Sequence, residues 1–187
     1  MSGGFFSYAA RCAVGVAFGL SSVWKIRNPR QYRSAAWAVL PTWVTRAAAR
    51  RLALLVASIE GVCGILLFFP TSIGQVGALT AMLLLSGYTF LFLRSRDLSA
   101  GCGCWRLPRH LEPGLYRRLV LARNGVLFVL SAIGALRPGI LRAPQIGIGV
   151  VSGFLVALTI LAIPEIGQVV KEQMSERHGD QLRSGRT

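Results

Sequence analysis

Apolar residues along the chain fall into five runs that are separated by polar, arginine-rich connections. Each run is close to the roughly 20 residues that a helix needs to cross the hydrocarbon core of a bilayer. The pattern therefore predicts an all-α integral membrane protein, in which a four-helix antiparallel bundle is followed by a fifth, C-terminal transmembrane helix. The predicted spans are residues 5–24, 52–69, 73–93, 116–136 and 145–163.

The five runs belong to one multi-pass domain, residues 1–166, and a polar tail follows at residues 167–187. The connection between the second and third spans, residues 70–72, is so short that these two helices must be antiparallel neighbours. Gly15 and Gly19 lie four residues apart in the first span, and this spacing predicts a face that a second helix can approach closely.

The positive charge of the chain follows the same division into runs and connections. Net charge is +14, which on a soluble domain would indicate nucleic-acid binding. Here the cations lie beside apolar runs, so we expect them to face lipid headgroups, and we expect no nucleic acid as a partner. Seventeen of the 21 Lys and Arg residues fall in the first connection, the third connection and the tail. In a bacterial cell membrane this distribution predicts an outside N-terminus, with the third connection and the tail in the cytoplasm.

The third connection contains two cysteines with a single glycine between them, Cys102 and Cys104. A disulfide between them would close a small, strained ring that is easily reduced, and Gly103 supplies the backbone freedom for closure. Arg106 and Arg109 lie close enough in sequence to stabilise a thiolate. The motif therefore indicates thiol–disulfide exchange, with the two cysteines as the catalytic residues and the two arginines tuning the thiolate.

Two other interpretations of this motif stay open. In the first, the cysteines are inert residues of a loop. In the second, they bind a metal ion, which would need ligands beyond two thiolates, and His110 is the nearby candidate. We assign no metal site.

Ionisable residues within the predicted spans indicate a second kind of site, because a charge in hydrocarbon is costly unless it is paired. Arg11 and Glu60 have opposite signs, and their estimated depths differ by an amount that the long arginine side chain can bridge. Arg123 and Asn124 enter the fourth span from the side of the cysteine motif and can join them. These four residues predict an intramembrane polar site, which is either a structural ion pair or a site for a polar head such as a quinone.

Two further cysteines, Cys12 and Cys63, lie inside predicted spans at similar depths. They are candidates for a second thiol pair that would carry electrons across the membrane. The alternative is that each is a small apolar residue that packs well between helices.

A set of residues in a fixed order resembles the MauE/DoxX-like redox-associated membrane proteins, of which MauE is the methylamine-utilisation member. The resemblance covers residues 8–136. It rests on Arg11, on Lys25 with Arg27-Asn28-Pro29, on Glu60, on Cys102-Gly103-Cys104 and on Arg123-Asn124. The chain departs from the family's usual Cys-Gly-Cys-Phe-Gly at Trp105-Arg106.

The resemblance implies a DoxX-like four-helix membrane bundle that takes part in disulfide formation or redox homeostasis of exported proteins. It also implies a thioredoxin-like or exported disulfide protein as partner, besides the lipid bilayer. We therefore expect a membrane thiol–disulfide redox protein, with quinone as a candidate electron acceptor. The alternatives are a non-enzymatic membrane subunit or assembly factor that anchors a partner, and a small transporter. Homo- and hetero-oligomers both stay open.

Overall fold

The computed structural model describes residues 2–30, 32–33, 37, 44–94, 113–136 and 144–160, and all regular structure in them is helical. The long helices are α1 (Ser2–Arg27), α2 (Arg46–Leu66), α3 (Ser72–Arg94), α4 (Pro113–Ala135) and α5 (Pro144–Ile160). The predicted all-α class is confirmed. The polar tail, residues 167–187, lies outside the described residues.

The first helix is longer than its apolar run and ends two residues before Pro29. It contains 26 residues and stops at Arg27. Asn28 precedes Pro29, and a residue before proline is biased away from helical backbone angles. The Trp24 carbonyl accepts both the backbone amide of Asn28, at 2.9 Å, and its side-chain amide, at 3.1 Å.

The second helix begins at Arg46, six residues before the predicted span at residue 52. Thr45 has an extended backbone, and its hydroxyl accepts a hydrogen bond from the Ala48 amide at 3.2 Å. This is an N-cap, which satisfies one of the amides that a helix start leaves unpaired. Alanine and arginine are strong helix formers, so the helix starts in a segment that is too charged to count as apolar.

The first four helices form a ring in chain order. α1 packs against α2 and α4, α3 packs against the same two helices, and α1 and α3 touch little across the centre. Successive helices are joined so that neighbours run in opposite directions, which the turn between Leu66 and Ser72 shows most directly. The predicted four-helix antiparallel bundle is confirmed.

Glycine allows α1 and α2 to approach each other closely. A Cβ built on Gly15 would lie 3.0 Å from the Gly64 carbonyl oxygen, and one built on Gly64 would lie 3.1 Å from the Gly19 nitrogen. Contacts this short involve backbone atoms that cannot move aside. The predicted close-approach face is therefore confirmed at Gly15, with α2 as the helix that uses it. At Gly19 the backbone contacts α2, but a Cβ there would meet nothing within 4 Å among the described residues.

The fifth helix packs against α1 through a row of small residues. Gly149, Gly153 and Ala157 are spaced four residues apart and are buried. A Cβ built on Gly149 would lie 2.7 Å from the Tyr8 ring, and one built on Gly153 would lie 2.5 Å from Cys12 Cβ. α5 is therefore docked on the outside of the four-helix ring.

Three of the described helices are long and apolar enough to cross a membrane: α1 from Gly4, α3, and α4 from Arg117. α5 is apolar but shorter. α2 carries three arginines and Glu60 within its 21 residues, yet it packs between α1 and α3 as part of the ring. Large apolar side chains such as Leu83, at 75% exposure, cover the outside of the bundle, as expected of a membrane protein whose solvent is lipid.

Candidate functional site

The cysteine motif that the sequence analysis singled out lies in the connection between α3 and α4. Cys102, Cys104, Arg106 and Arg109 fall outside the described residues, so their roles stay predictions. His110, the candidate for a further metal ligand, falls outside them as well. Within the described ranges, no three His, Cys, Asp or Glu side chains come together.

A buried ion pair joins α1 to α2. Lys25 lies near the end of α1, and its Nζ atom is 2.5 Å from Oε1 of Glu60, which lies 14 residues into α2. Both residues are 1% exposed. Removing two charges from water is costly, and close contact with additional hydrogen bonds is what compensates for it.

Two hydroxyl groups supply those additional hydrogen bonds. Ser21 lies one helical turn before Lys25, and its Oγ donates to Glu60 Oε2 at 3.3 Å. Tyr88 of α3 donates its hydroxyl proton to Glu60 Oε1, and Lys25 Nζ lies 3.3 Å from the same hydroxyl oxygen. Both carboxylate oxygens of Glu60 are thus hydrogen-bonded, as buried polar atoms require.

The ammonium group of Lys25 also faces two aromatic rings. Its Nζ atom is 4.9 Å from the ring centroid of Tyr32 and 4.9 Å from that of Tyr88. A cation over a ring face is attracted by the quadrupole of the ring, and more strongly where water is excluded. We refer to these residues as the Lys25 cluster, which consists of Ser21, Lys25, Tyr32, Glu60 and Tyr88.

Sequence reasoning identified Glu60 but not the residues that bind it. Lys25 was expected at the membrane interface, because it closes an apolar run. The signal that could have found it is its spacing of four from Ser21, which puts two polar groups on one face of α1. Tyr88 gave no such signal, because a tyrosine near the end of an apolar run is also common at the lipid interface.

Arg11 binds backbone carbonyls at the opposite end of the bundle. Its Nε donates to the Gly134 carbonyl at 2.5 Å and its Nη2 to the Leu136 carbonyl at 3.1 Å. Its Nη1 donates to the Thr71 carbonyl at 3.2 Å, in the turn between α2 and α3. The last carbonyls of a helix lack intrahelical partners and carry the negative end of its dipole. Arg11 therefore caps α4 and ties it to that turn.

The predicted pairing of Arg11 with Glu60 is wrong. Arg11 lies 14 residues before Lys25 on α1, or about 21 Å along the helix at 1.5 Å per residue. The predicted pairing required the end of α1 and the start of α2 to lie at the same depth in the membrane. Instead Lys25, two residues from the end of α1, faces a residue that lies 14 residues into α2.

Arg123 and Asn124 belong to the interface between α3 and α4. Arg123 Nη2 donates to Asn124 Oδ1 at 3.2 Å, and Asn124 Nδ2 donates to the Thr89 hydroxyl at 3.4 Å. Thr89 follows Tyr88, so α3 presents adjacent residues to two different polar groups. The four residues of the predicted polar site therefore lie in three sets of contacts, and a shared binding role for them stays a prediction.

The second pair of cysteines is not joined. Cys12 and Cys63 are both buried free thiols. Cys63 donates to the Gly77 carbonyl at 3.2 Å between α2 and α3, whereas Cys12 packs against α5 at Gly153. The two side chains lie in different helix interfaces, so the structure does not form the second thiol pair that the sequence suggested.

Comparison with known proteins identifies a family. The sequence model of a family described as methylamine utilisation protein MauE matches residues 4–137. This range contains nearly all of the four-helix ring and ends before α5. No curated protein and no solved structure matches the chain.

Proposed function

The chain belongs to the methylamine utilisation protein MauE family, and from this premise we propose that it is a membrane thiol–disulfide exchange protein. The observation that carries the proposal is the pair Cys102 and Cys104, one residue apart in the connection between two helices of the matched range. Neighbouring thiols in an arginine-rich segment have the properties that reversible disulfide chemistry requires.

In the proposed reaction, a thiolate of a partner protein attacks one sulfur of a Cys102–Cys104 disulfide. That bond breaks, a mixed disulfide forms, and the other cysteine leaves as a thiolate that takes up a proton. The second thiol of the partner then loses its proton and attacks the mixed disulfide. The partner leaves oxidised, and the motif keeps two electrons and two protons as a dithiol. A second protein disulfide reoxidises the motif by the same steps in reverse.

Arg106 and Arg109 are the proposed thiolate-tuning residues. The thiolate is both the attacking species and the leaving group in each step, and nearby cations favour that form. Arg106 follows Cys104 by two residues and Arg109 by five, so both are close to the sulfurs in sequence.

The Lys25 cluster supports the proposal by tying α3, the helix that precedes the cysteine motif, to α1 and α2. Tyr88 lies six residues before Arg94, where α3 ends, or about 9 Å along the helix. The cluster links α1, α2 and α3 through a fully hydrogen-bonded charge pair, and such networks favour one specific arrangement. A redox motif that binds a partner is positioned more precisely when the helix beside it is held rigidly.

The proposed partner is a thioredoxin-like or exported protein with two cysteines of its own. The distribution of arginines favours a cytoplasmic position for the motif, whereas an exported partner would favour the outer side. The labelling experiment described in the Discussion separates these two arrangements.

A quinone is not part of the proposed reaction. A quinone head needs hydrogen-bond donors that converge on an open pocket. Arg11 donates to three backbone carbonyls, and Glu60 is bound by Lys25 and Tyr88. In the part of the chain that the structure describes, these residues do not fit a quinone.

The test is to trap the redox state of the motif in cells. Thiols are blocked by acid quenching and alkylation, and a mass-tagged maleimide applied after reduction then counts the cysteines that had been oxidised. We expect two oxidised cysteines in the original chain. In Cys102→Ser and Cys104→Ser the motif disulfide cannot form, so we expect no more than one, namely the remaining motif cysteine when it is held in a mixed disulfide. The Cys104→Ser variant should accumulate a mixed disulfide with a partner, which mass spectrometry identifies.

Cys12→Ser and Cys63→Ser are matched controls, because each removes a buried free thiol and leaves the motif intact. We expect both to behave like the original chain. The proposal fails if Cys102 and Cys104 stay reduced under every growth condition and trap no partner. That outcome would favour the non-enzymatic interpretation, in which the protein anchors a partner.

A further inference from the structure

Three arginines at the start of α2 form a positive patch that no described carboxylate balances. Arg46, Arg50 and Arg51 are all exposed, and we refer to them as the arginine cluster. The whole chain has seven acidic residues. Glu60 is the one that the described ranges contain, and Lys25 binds it. The counter-charge for the arginine cluster is therefore not supplied by the described part of the bundle.

The same helix continues beyond the arginine cluster as an exposed apolar face. Residues four apart lie on one face of a helix, so Leu54 lies below Arg50, and Leu55 lies below Arg51. The exposed apolar side chains that follow are Leu54 at 47%, Leu55 at 55%, Ile59 at 37% and Val62 at 57%. A charged end and a long apolar side are thus aligned on one surface.

Two neighbouring residues add features of a headgroup site. The Arg46 guanidinium lies 5.8 Å from the ring centroid of Trp37, and tryptophan is enriched at the depth of lipid headgroups. Arg33 has a buried Nε that lacks an acceptor among the described residues. It follows Tyr32, which packs against Ala53 of α2, two residues beyond the arginine cluster. A buried donor without a described acceptor requires one, and a lipid phosphate can supply it.

We propose that the arginine cluster and the apolar face below it bind an anionic phospholipid. The guanidinium groups take the phosphate, to which arginine is matched by its planar fork of donors. One acyl chain lies along Leu54, Leu55 and Ile59. A lipid fits both halves of this surface, whereas a free phosphate ion would leave the apolar half unused.

The experiment measures lipid binding to the full chain purified in a neutral detergent, by native mass spectrometry. Phosphatidylglycerol is compared with phosphatidylcholine, and inorganic phosphate is added in a separate arm. We expect phosphatidylglycerol to bind preferentially, and Arg50→Gln/Arg51→Gln to weaken it roughly 30-fold, because each cation near an anionic surface contributes about a fivefold factor. Circular dichroism checks that the variant is folded.

Arg117→Gln/Arg118→Gln is the matched control, because it removes two exposed arginines from the start of α4 and changes the net charge equally. We expect it to keep most of the binding. Equal losses in the two double variants would overturn the proposal in favour of diffuse attraction to the positive end of the bundle. Inhibition by millimolar inorganic phosphate, or equal binding of phosphatidylcholine, would overturn it too.

Discussion

At the scale of single residues, Lys25 is the side chain on which the polar interior of the bundle depends. Its ammonium group contacts a carboxylate, a phenol hydroxyl and two aromatic rings, and almost none of it is exposed. A buried pair of this kind contributes little net stability compared with apolar residues of the same size, but the loss of one member leaves an unpaired charge.

We therefore expect Lys25→Met to lower the free energy of unfolding by about 3–5 kcal/mol. Glu60→Gln should have a smaller effect of the same sign, because a neutral amide keeps part of the hydrogen bonding. The measurement is unfolding by sodium dodecyl sulfate in mixed micelles, followed by circular dichroism. The double variant Lys25→Met/Glu60→Met should recover much of the loss. A double variant less stable than either single one would contradict this account of the pair.

A second prediction concerns the hydroxyl group of Tyr88. Tyr88→Phe keeps the ring over Lys25 but removes one hydrogen bond to an ionised carboxylate, a contribution of roughly 1.5–3 kcal/mol. The same unfolding assay measures the change. Thr80→Val on the same helix is the control, because the Thr80 hydroxyl only bonds the Val76 carbonyl of its own helix, and we expect almost no effect from it. Equal effects of the two variants would show that the Tyr88 hydroxyl does not support Glu60.

At this scale the sequence predicted that Glu60 needs a partner of opposite charge, but it did not predict which residue that partner is. A carboxylate in an apolar run requires a cation, and Glu60 was identified on that ground. The choice between Arg11 and Lys25 depends on how far α1 and α2 are shifted along each other. That shift comes from the packing between the two helices, which includes the close backbone approach of Gly15 and Gly64. A depth counted from loop boundaries does not contain this information.

At the scale of elements, Arg11 acts as a connector between helix ends. One side chain donates to carbonyls of α4 and of the turn between α2 and α3. Ser7 of the same helix also donates to the Leu136 carbonyl, at 3.1 Å. Because these acceptors are backbone atoms, no sequence pattern marks them as partners of an arginine.

Arg11→Lys should lower the stability of the bundle by roughly 3 kcal/mol, because a single ammonium group replaces a planar fork and at least one of the charged hydrogen bonds is lost. The unfolding assay measures this change. Arg94→Lys serves as the control, since Arg94 is exposed at the end of α3, and we expect no change from it. Stability equal to that of the original chain would mean that the carbonyls find other donors without cost.

The docking of α5 gives a second prediction at this scale. In Gly153→Leu the new Cβ would lie 2.7 Å from the Ala9 carbonyl oxygen and 2.8 Å from the Ala13 nitrogen, so α5 should separate from α1. The expected result is faster proteolysis between α4 and α5. Gly147→Leu is the matched control, because a Cβ there meets nothing within 4 Å among the described residues. Similar cleavage rates for the two variants would contradict the docking.

The existence of the helices could be predicted from the sequence, whereas the residues at which they begin and end could be predicted less well. Apolar run length located all five helices, because lipid exposure keeps the outside of each one apolar. The predicted start of α2 was six residues too late. The apolar run begins after Arg51, whereas the helix begins directly after its N-cap, Thr45. Capping and propensity act on backbone groups and are independent of hydrophobicity.

At the scale of the whole molecule, the turn between α2 and α3 and the connection that follows α3 are attached to opposite ends of α3, so we expect them on opposite sides of the membrane. We expect a membrane-impermeant maleimide to label Thr71→Cys in intact cells and to label Cys102 only after the membrane is opened. Each chain carries one cysteine, with the others replaced by serine. The reverse pattern would show that the arginine distribution does not set the orientation and that the motif faces outward.

The buried position of Arg11 has a consequence for biosynthesis. The first helix enters the membrane while the ribosome is still making the rest of the chain. Two of the three carbonyls to which Arg11 donates are made much later, because Gly134 lies in the last turn of α4 and Leu136 directly follows that helix. Until those two residues are made, the arginine lacks two of its three acceptors, and water, lipid phosphate or the translocon must take their place. The bundle can close around this side chain only late in translation, so products that terminate early keep a polar α1 that quality-control proteases can recognise.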